Sequence, residues 1–445
     1  MLRDCDRAAA AQFARRAANV FSDASAPCGR DARAPRNAAG LTLTTALLGL
    51  FASALALHAE NWPQFRGPTG LGYSTERNLP LTWNAQTGEN ILWKAALPKS
   101  DSAYSSPIVW GDRVFVTSVQ NNPLEQRTLC FSKSDGKKLW ETIVPPGPLI
   151  LTDLRGGYNA PTPCTDGKRV YVVFGSAVIA ALDFEGKLLW RKEIANHAFD
   201  VALGSSPVLF GDTVILDCDQ TGKTSTVTAF DVATGDIKWE AKRPEATFAH
   251  TTPVVIKVGD KSELLVSAAK ALQGLDPTNG SILWWCTAHG DASSPAYDGH
   301  VVFSDSGRGG KAVCVDPSGS GDVSSTHVKW RVPTIPEGLS SAIIAGGYVW
   351  RTHNPEILKA FKLDSGEQAS SQRLTGISTW ASPLATADGL LYFASAGKTY
   401  VLRPGEKPEV LATNDLGEEN RATGAISDGK IFLRGDKSLF CIGHK

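Results

Sequence analysis

Six tryptophans recur at nearly constant spacing, and that recurrence limits the fold more than any other feature. Trp93, Trp140, Trp190, Trp239, Trp284 and Trp330 stand 45 to 50 residues apart. Each ends a similar phrase, of which Ala229-Phe-Asp-Val-Ala-Thr-Gly-Asp-Ile-Lys-Trp239 is the fullest copy. A fixed period in this range means one supersecondary unit copied many times, with neighbouring units burying each other's apolar faces. The repeated residues therefore build a scaffold, and function must be sought where the copies differ.

Aligned on this period, each unit opens with a Ser/Thr-Pro step or its remnant, at Ser106, Thr162, Ser206, Thr252, Ser294, Ser341, Ser382 and Thr423. A short apolar run leads to a tight turn such as Gly111-Asp112, Asp298-Gly299 or Asp428-Gly429. Pairs of this kind supply the positive φ that a two-residue hairpin loop requires. A β-rich run follows. A third strand then carries a small residue before a large one, as in Cys130-Phe131 and Ala229-Phe230, and a fourth bears the tryptophan. Four antiparallel strands repeated radially are β-propeller blades, so the chain is expected to be all-β with eight blades. The last unit runs out at Lys445 one strand short, whereas Trp93 precedes every opening. Residues near 90–97 are expected to supply that outer strand and close the ring, which removes exposed sheet edges. The copies near Ser370 and Leu411 lack the tryptophan, so the outer ring is expected to be degenerate there.

Other propeller repeats fit poorly. No tryptophan is followed by Asp, and the double glycines fall at unrelated places, against WD and kelch blades. The phrase Ala-x-Asp-x-x-Thr-Gly-x-x-x-Trp, unbroken at 229–239, resembles the tryptophan-docking repeat of the pyrroloquinoline quinone (PQQ)-like propellers. That group includes quinoprotein dehydrogenases and the BamB-type outer-membrane assembly factors. The resemblance covers about residues 83–445, and Asn61-Trp-Pro-Gln-Phe-Arg-Gly-Pro68 is similar to the start of many exported bacterial members. It implies a fold without choosing a function, because the docking repeat exists to hold blades together.

The N-terminus reads as an export signal. Arg30, Arg33 and Arg36 precede an apolar stretch, 41–57, and Ala59 stands before Glu60. Basic flank, apolar centre and small-residue end are the parts of a secretory signal. Cleavage near Ala59 and a periplasmic or cell-envelope location are expected; an uncleaved anchor is the competing reading. Residues 1–40 carry no fold signal and are consistent with a true start further downstream. The expected organisation is a leader over 1–59, an extension over 60–82 and the propeller over 83–445. Lys+Arg and Asp+Glu both number 45, and a chain of zero net charge lacks the basic stripe expected of a nucleic-acid binder.

Several tempting residues have plain readings. Cys130, Cys314 and Cys441 share the small slot of the third strand in different blades, too far apart to bridge. Cys164, Cys218 and Cys286 cannot be paired from sequence. Gly222-Lys-Thr224 lacks the upstream glycine of a phosphate loop. It and Gly307-Arg-Gly-Gly-Lys311 are expected to be surface turns. No Cys-x-x-Cys-His haem motif and no metal-site spacing of histidines occurs in the expected mature chain.

Function is expected at the channel mouth. The first strand of each blade lines the channel, so the residues just before it converge. There the repeat varies: Tyr104, Asn159, His250, Asp291, Trp380 and Arg421. Arg421 suits a carboxylate by planar bidentate geometry, and Trp380 could supply a stacking floor. The funnel could hold a small anionic ligand such as a quinone carboxylate, or equally water or a peptide. Two pre-blade loops are further candidates, one with Asp153 and Arg155, the other with His197 and Asp200.

The resemblance leaves two functions open. One is a non-catalytic exported propeller that binds protein partners, as BamB-type members do. The other is a PQQ-dependent oxidoreductase holding quinone and Ca²⁺ at the mouth. The quinoprotein alcohol dehydrogenases carry an adjacent Cys-Cys pair that this chain lacks. Asn159 could supply a calcium-binding amide, but no glutamate is expected at a matching place before a blade.

Overall fold

The computed structural model describes residues 60–98, 100, 104–150, 157–194, 202–247 and 249–445. The leader with its apolar stretch, and Asp153, Arg155, His197 and Asp200, lie outside the described residues. The described chain forms eight four-stranded sheets arranged as a β-propeller, with no helix. Blade 3 shows the plan: Val208–Phe210, Thr213–Cys218, Thr226–Asp231 and Ile237–Lys242 pair in order, each antiparallel to the last. Its first two strands are joined by Gly211-Asp212, with Gly211 at φ 57°. The inner strands are buried, and the fourth alternates between exposed and half-buried.

The ring closes as the sequence leads one to expect. Ile91–Ala96 pairs antiparallel with Ser438–Ile442 and becomes the outer strand of blade 8. Blade 4 departs from the plan. Its run Lys261–Leu275 pairs with both Val254–Val258 and Ile282–His289, and its outermost strand is the short Gly321–Asp322, borrowed from the chain of blade 5 and paired parallel.

Most tryptophans of the outer strands dock on the next blade. A Cβ at Gly136, Gly186, Gly235, Gly280 or Gly366 would lie 2.6 or 2.7 Å from the ring of Trp93, Trp140, Trp190, Trp239 or Trp330, respectively. Each of these glycines has a positive φ in the hairpin that precedes the next blade's long outer strand, so both the turn and the ring require its missing side chain. Four of the five indoles also donate to a carbonyl of that hairpin: Trp93 to Lys133, Trp140 to Phe184, Trp190 to Val232 and Trp330 to Leu363. Trp284 breaks the series. It is fully buried and donates instead to Glu263 Oε2 of its own blade at 2.7 Å.

The extension is part of the ring's interior. Trp62 exchanges two backbone bonds with Val109 of blade 1, and Pro63 O accepts from Thr165 N of blade 2. Leu71 joins the core of Val254 and Ile256 in blade 4. The Tyr73 hydroxyl donates to Ile344 O of blade 6, Ser74 N to Ala385 O of blade 7, and the Glu76 carboxylate accepts from Asp428 N and Gly429 N of blade 8. All these partners sit on first strands or the turns that end them. The segment therefore lies across the end of the channel opposite the Ser/Thr openings.

Candidate functional site

The Ser/Thr residue that opens each blade has a job the sequence does not reveal. The amide of Ser106 donates to Thr162 Oγ1, that of Thr162 to Ser206 Oγ, and the series continues through Thr252, Ser294, Ser341 and Ser382 to Thr423 Oγ1. All seven bonds are 2.9 to 3.1 Å long and run the same way round the axis. The link from blade 8 back to blade 1 is missing, and the buried Ser106 Oγ has no partner. Buried backbone amides must be paired. A short hydroxyl at the opening of each blade is how it satisfies the amide of its neighbour.

These eight residues line a central cavity of about 340 Å³. Its floor includes Phe65 of the extension, and its mouth is formed by Tyr104, His250, Arg308, Glu337, Trp380 and Arg421. Four of the five residues expected to bind a ligand thus reach one cavity: Tyr104, His250, Trp380 and Arg421. Asn159 does not. It is fully buried and donates to Thr117 O at 3.4 Å, while the adjoining Ala160 takes the wall position. Asp291 stands behind Arg308, whose Nε it binds at 3.0 Å.

The mouth is a connected cluster. The Arg421 guanidinium forms a side-on pair with Glu419, at 2.9 and 3.0 Å, and donates from Nη1 to the Tyr104 hydroxyl at 3.0 Å. Glu419 accordingly pushes the Arg421 guanidinium above its ordinary range. The rings of Tyr104 and Trp380 lie 5.2 Å apart, and Trp380 is 40% exposed. Burial, followed by the charge of Arg308, lowers His250 to about 4, so it is neutral at physiological pH. Burial raises Asp291 while Arg308 opposes the shift.

Three cavity residues were not legible as such. Arg308 belongs to the Gly307–Lys311 hairpin, expected to be a surface turn. It reaches the mouth because Gly307 lets the hairpin press on the blade's own opening, where a Cβ would lie 2.8 Å from Ser293 N. A lone arginine among glycines was the available signal. Glu337 ends an extended fourth strand, Val328–Glu337, so a glutamate does precede a blade and reach the cavity. Phe65 comes from the extension, whose path no local pattern foretells.

The wall does not suit a calcium–quinone pair. Calcium takes six to eight oxygen ligands that include carboxylates. Here Glu337 is the one carboxylate on the wall among the described residues, Asp291 is held by Arg308, and the Asn159 amide is turned toward Thr117. Among the described residues no group of three His, Cys, Asp or Glu could hold a metal ion. The six described cysteines are buried and unbridged.

Comparison with known proteins agrees with this architecture. Residues 125–372 match the family described as outer membrane protein assembly factor BamB. No curated protein matches the chain. Among solved structures, BamB from Moraxella catarrhalis is 13% identical, with TM-score 0.57 over 79% of this chain and 96% of that one. The quinohemoprotein alcohol dehydrogenase ADHIIG from Pseudomonas putida HK5 is 12% identical, with TM-score 0.63 over 86% and 80%. The computationally designed Ika8 protein is 12% identical, with TM-score 0.56 over 79% and 99%. Identities this low report the fold, which an assembly factor, a dehydrogenase and a designed protein share. The family model spans more than half of the sequence, from the third strand of blade 1 to the last of blade 6, and by that match the chain belongs to the BamB outer-membrane assembly factor family of β-propellers.

Proposed function

We propose that this chain is an exported, non-catalytic propeller that binds protein partners in the cell envelope through the mouth of its cavity. The observation that carries the reading is the Trp380–Tyr104–Arg421 cluster, with Trp380 40% exposed on the rim. Trp, Tyr and Arg dominate the energetics of protein interfaces, and they do so when held in place before binding. The rim residues are held by one another, and the scaffold beneath them is hydrogen-bonded blade to blade. Membership of an assembly-factor family supports a partner that is itself a protein. A photo-crosslinking residue placed at Trp380 should trap a discrete envelope protein, and the adduct should disappear when Arg421 is changed to Ala. The same residue placed at Ile282, on an outer strand away from the mouth, should not. Equal labelling from both positions would overturn the reading.

The family resemblance also allows a PQQ-dependent oxidoreductase, which the donor set of the wall does not favour. Purified protein given PQQ and Ca²⁺ is expected to show neither retained quinone absorbance nor dye reduction. Both together would replace the present reading with the enzymatic one.

A further inference from the structure

The cavity wall is rich in groups that give hydrogen bonds and poor in groups that receive them. Seven of the eight ring hydroxyls accept a backbone amide, and none of the eight donates its proton to any described residue. A hydroxyl carries one donor, so the ring turns a set of uncommitted O–H groups toward the axis.

Positive charge gathers near that ring. At the mouth Arg308 is neutralised by Asp291 and Arg421 by Glu419, and buried beside the ring Arg351 is neutralised by Asp305 at 2.5 Å. Arg66 and Arg434 are not. Both are fully buried, and neither forms an ion pair among the described residues. Arg66 donates from Nη2 to Leu71 O and to Ala342 O, next to ring residue Ser341, leaving Nε and Nη1 without an acceptor. Arg434 donates from Nη1 to the carbonyl and hydroxyl of Ser105, next to ring residue Ser106, leaving Nε and Nη2 without one. The Ser106 hydroxyl at the open link is unpartnered as well. Asp436 is felt by Arg434 but makes no ion pair with it, and Glu337 is solvent-exposed at the rim. Burial lowers both guanidinium groups to about 10, which leaves them charged at neutral pH. A buried cation without a counter-charge is costly unless an anion shares its surroundings.

We propose that the cavity receives a carboxylate, held by ring hydroxyls on the blade 6 and blade 8–blade 1 sides and drawn in by Arg66 and Arg434. Under the proposed function, that carboxylate is an acidic side chain or chain end of a partner segment entering at the mouth. A free small carboxylate has the same chemistry, and the test separates the two.

The purified propeller is titrated by calorimetry with benzene-1,3,5-tricarboxylate, with its neutral triamide, and with tri-glutamate and tri-glutamine peptides. Both carboxylate probes are expected to bind and both neutral ones to fail. Tighter binding of tri-glutamate points to a partner segment; binding of the tricarboxylate alone points to a small molecule. Arg66→Gln and Arg434→Gln, each checked for a cooperative melt, should weaken binding about tenfold, as loss of a buried positive charge near the bound anion does. If either fails to fold, Ser106→Ala, which removes a donor at the open link, should still weaken it measurably. Absence of carboxylate binding to the folded wild type, or unchanged binding in folded variants, overturns the proposal. The outcomes of crosslinking are separate. A partner trapped at Trp380 with no carboxylate affinity sinks only this inference, and carboxylate affinity with no trapped partner sinks only the proposed function.

Discussion

His353 shows how a single buried side chain sets a pH limit on this molecule. It is fully buried at the end of the second strand of blade 6, and its ring lies edge-on to Phe361. Nδ1 lies 2.9 Å from Pro336 O, while Nε2 is buried without a partner. Burial, and then the charge of Arg351, lowers its folded value to about 3. The unfolded chain therefore binds the proton more readily than the folded one. The contribution is complete above about pH 6.5 and is lost progressively as pH falls from there toward about 3, at roughly 1.4 kcal/mol per pH unit. Urea unfolding of wild type and His353→Gln at pH 7.5 and 5.5 should show the wild type losing about 1.4 kcal/mol more than the variant over that interval. An identical pH dependence in the two proteins would remove His353 from the account. The mouth carries the same lesson about legibility. Tyr104, His250, Trp380 and Arg421 could be found because the repeat fixes where each blade begins, so departures from it stand out. Arg308, Glu337 and Phe65 reach the cavity from a hairpin, an overlong outer strand and the extension, none of which the repeat positions. Asn159 shows the reverse error: the right position on the chain, with the side chain turned toward Thr117.

At the scale of the blade, the tryptophan and the glycine it covers form one unit. Trp239 lies on Gly280, which has φ 76° and would bring a Cβ within 2.6 Å of the ring. Trp239→Ala should cost about 3 kcal/mol, by analogy with truncation of large packed rings. Gly280→Ala should also destabilise, through the strained φ and the collision. Because both act on one contact, the double variant should be less destabilised than the sum of the singles, by about 0.5–3 kcal/mol. Denaturant melts of the four proteins measure this directly, and strict additivity would deny the contact. None of the three variants should alter carboxylate affinity, since the contact lies on the outer strands. The blade pattern was legible because its signals are backbone requirements: a turn that needs positive φ, a third strand that needs a small residue, and an amide that needs a hydroxyl. The borrowed strand Gly321–Asp322 was not legible. It depends on where a long connection happens to lie, and two residues carry no periodicity. The reversal of Trp284 into its own blade was hidden for a similar reason, since it rests on Glu263 being present as an acceptor.

The whole molecule is held as a ring by contacts repeated from blade to blade and closed at one seam. Blade 8 combines both chain ends, and it meets blade 1 through Trp93 on Gly136 and through Arg434 on Ser105. Removing residues before 98 deletes the outer strand of blade 8 together with the segment across the channel. It leaves Ser438–Ile442, an apolar and buried strand, as an open edge. Such edges recruit other chains, so the truncated protein should elute as aggregate in size-exclusion chromatography with light scattering. A monodisperse monomer would show that blade 8 needs no closing strand. The same logic bears on export. We propose cleavage near Ala59, and N-terminal sequencing of the exported protein should begin near Glu60, leaving the whole crossing segment in the mature chain. A start beyond residue 78 would be incompatible with the contacts that Glu76 and Trp62 make inside the ring.

Closure through the outer strand also decides how the molecule responds to tension. Ile91 pairs with Ile442, so the start of the closing strand lies beside the end of the last. A pull that separates Ile91 from Ile442 would open that pair one rung at a time, in the geometry of a zipper instead of that of a sheared lap joint. The chain just before the closing strand is pinned as well, by Trp83 to Asn414 and by Gly88 to Lys445. Load on the C-terminus is therefore spent on blade 8 before it reaches the cavity, whereas load from upstream falls first on the segment that crosses the channel. The strand pair that closes blade 8 and the one amide–hydroxyl link missing among the described residues thus belong to the same part of the ring.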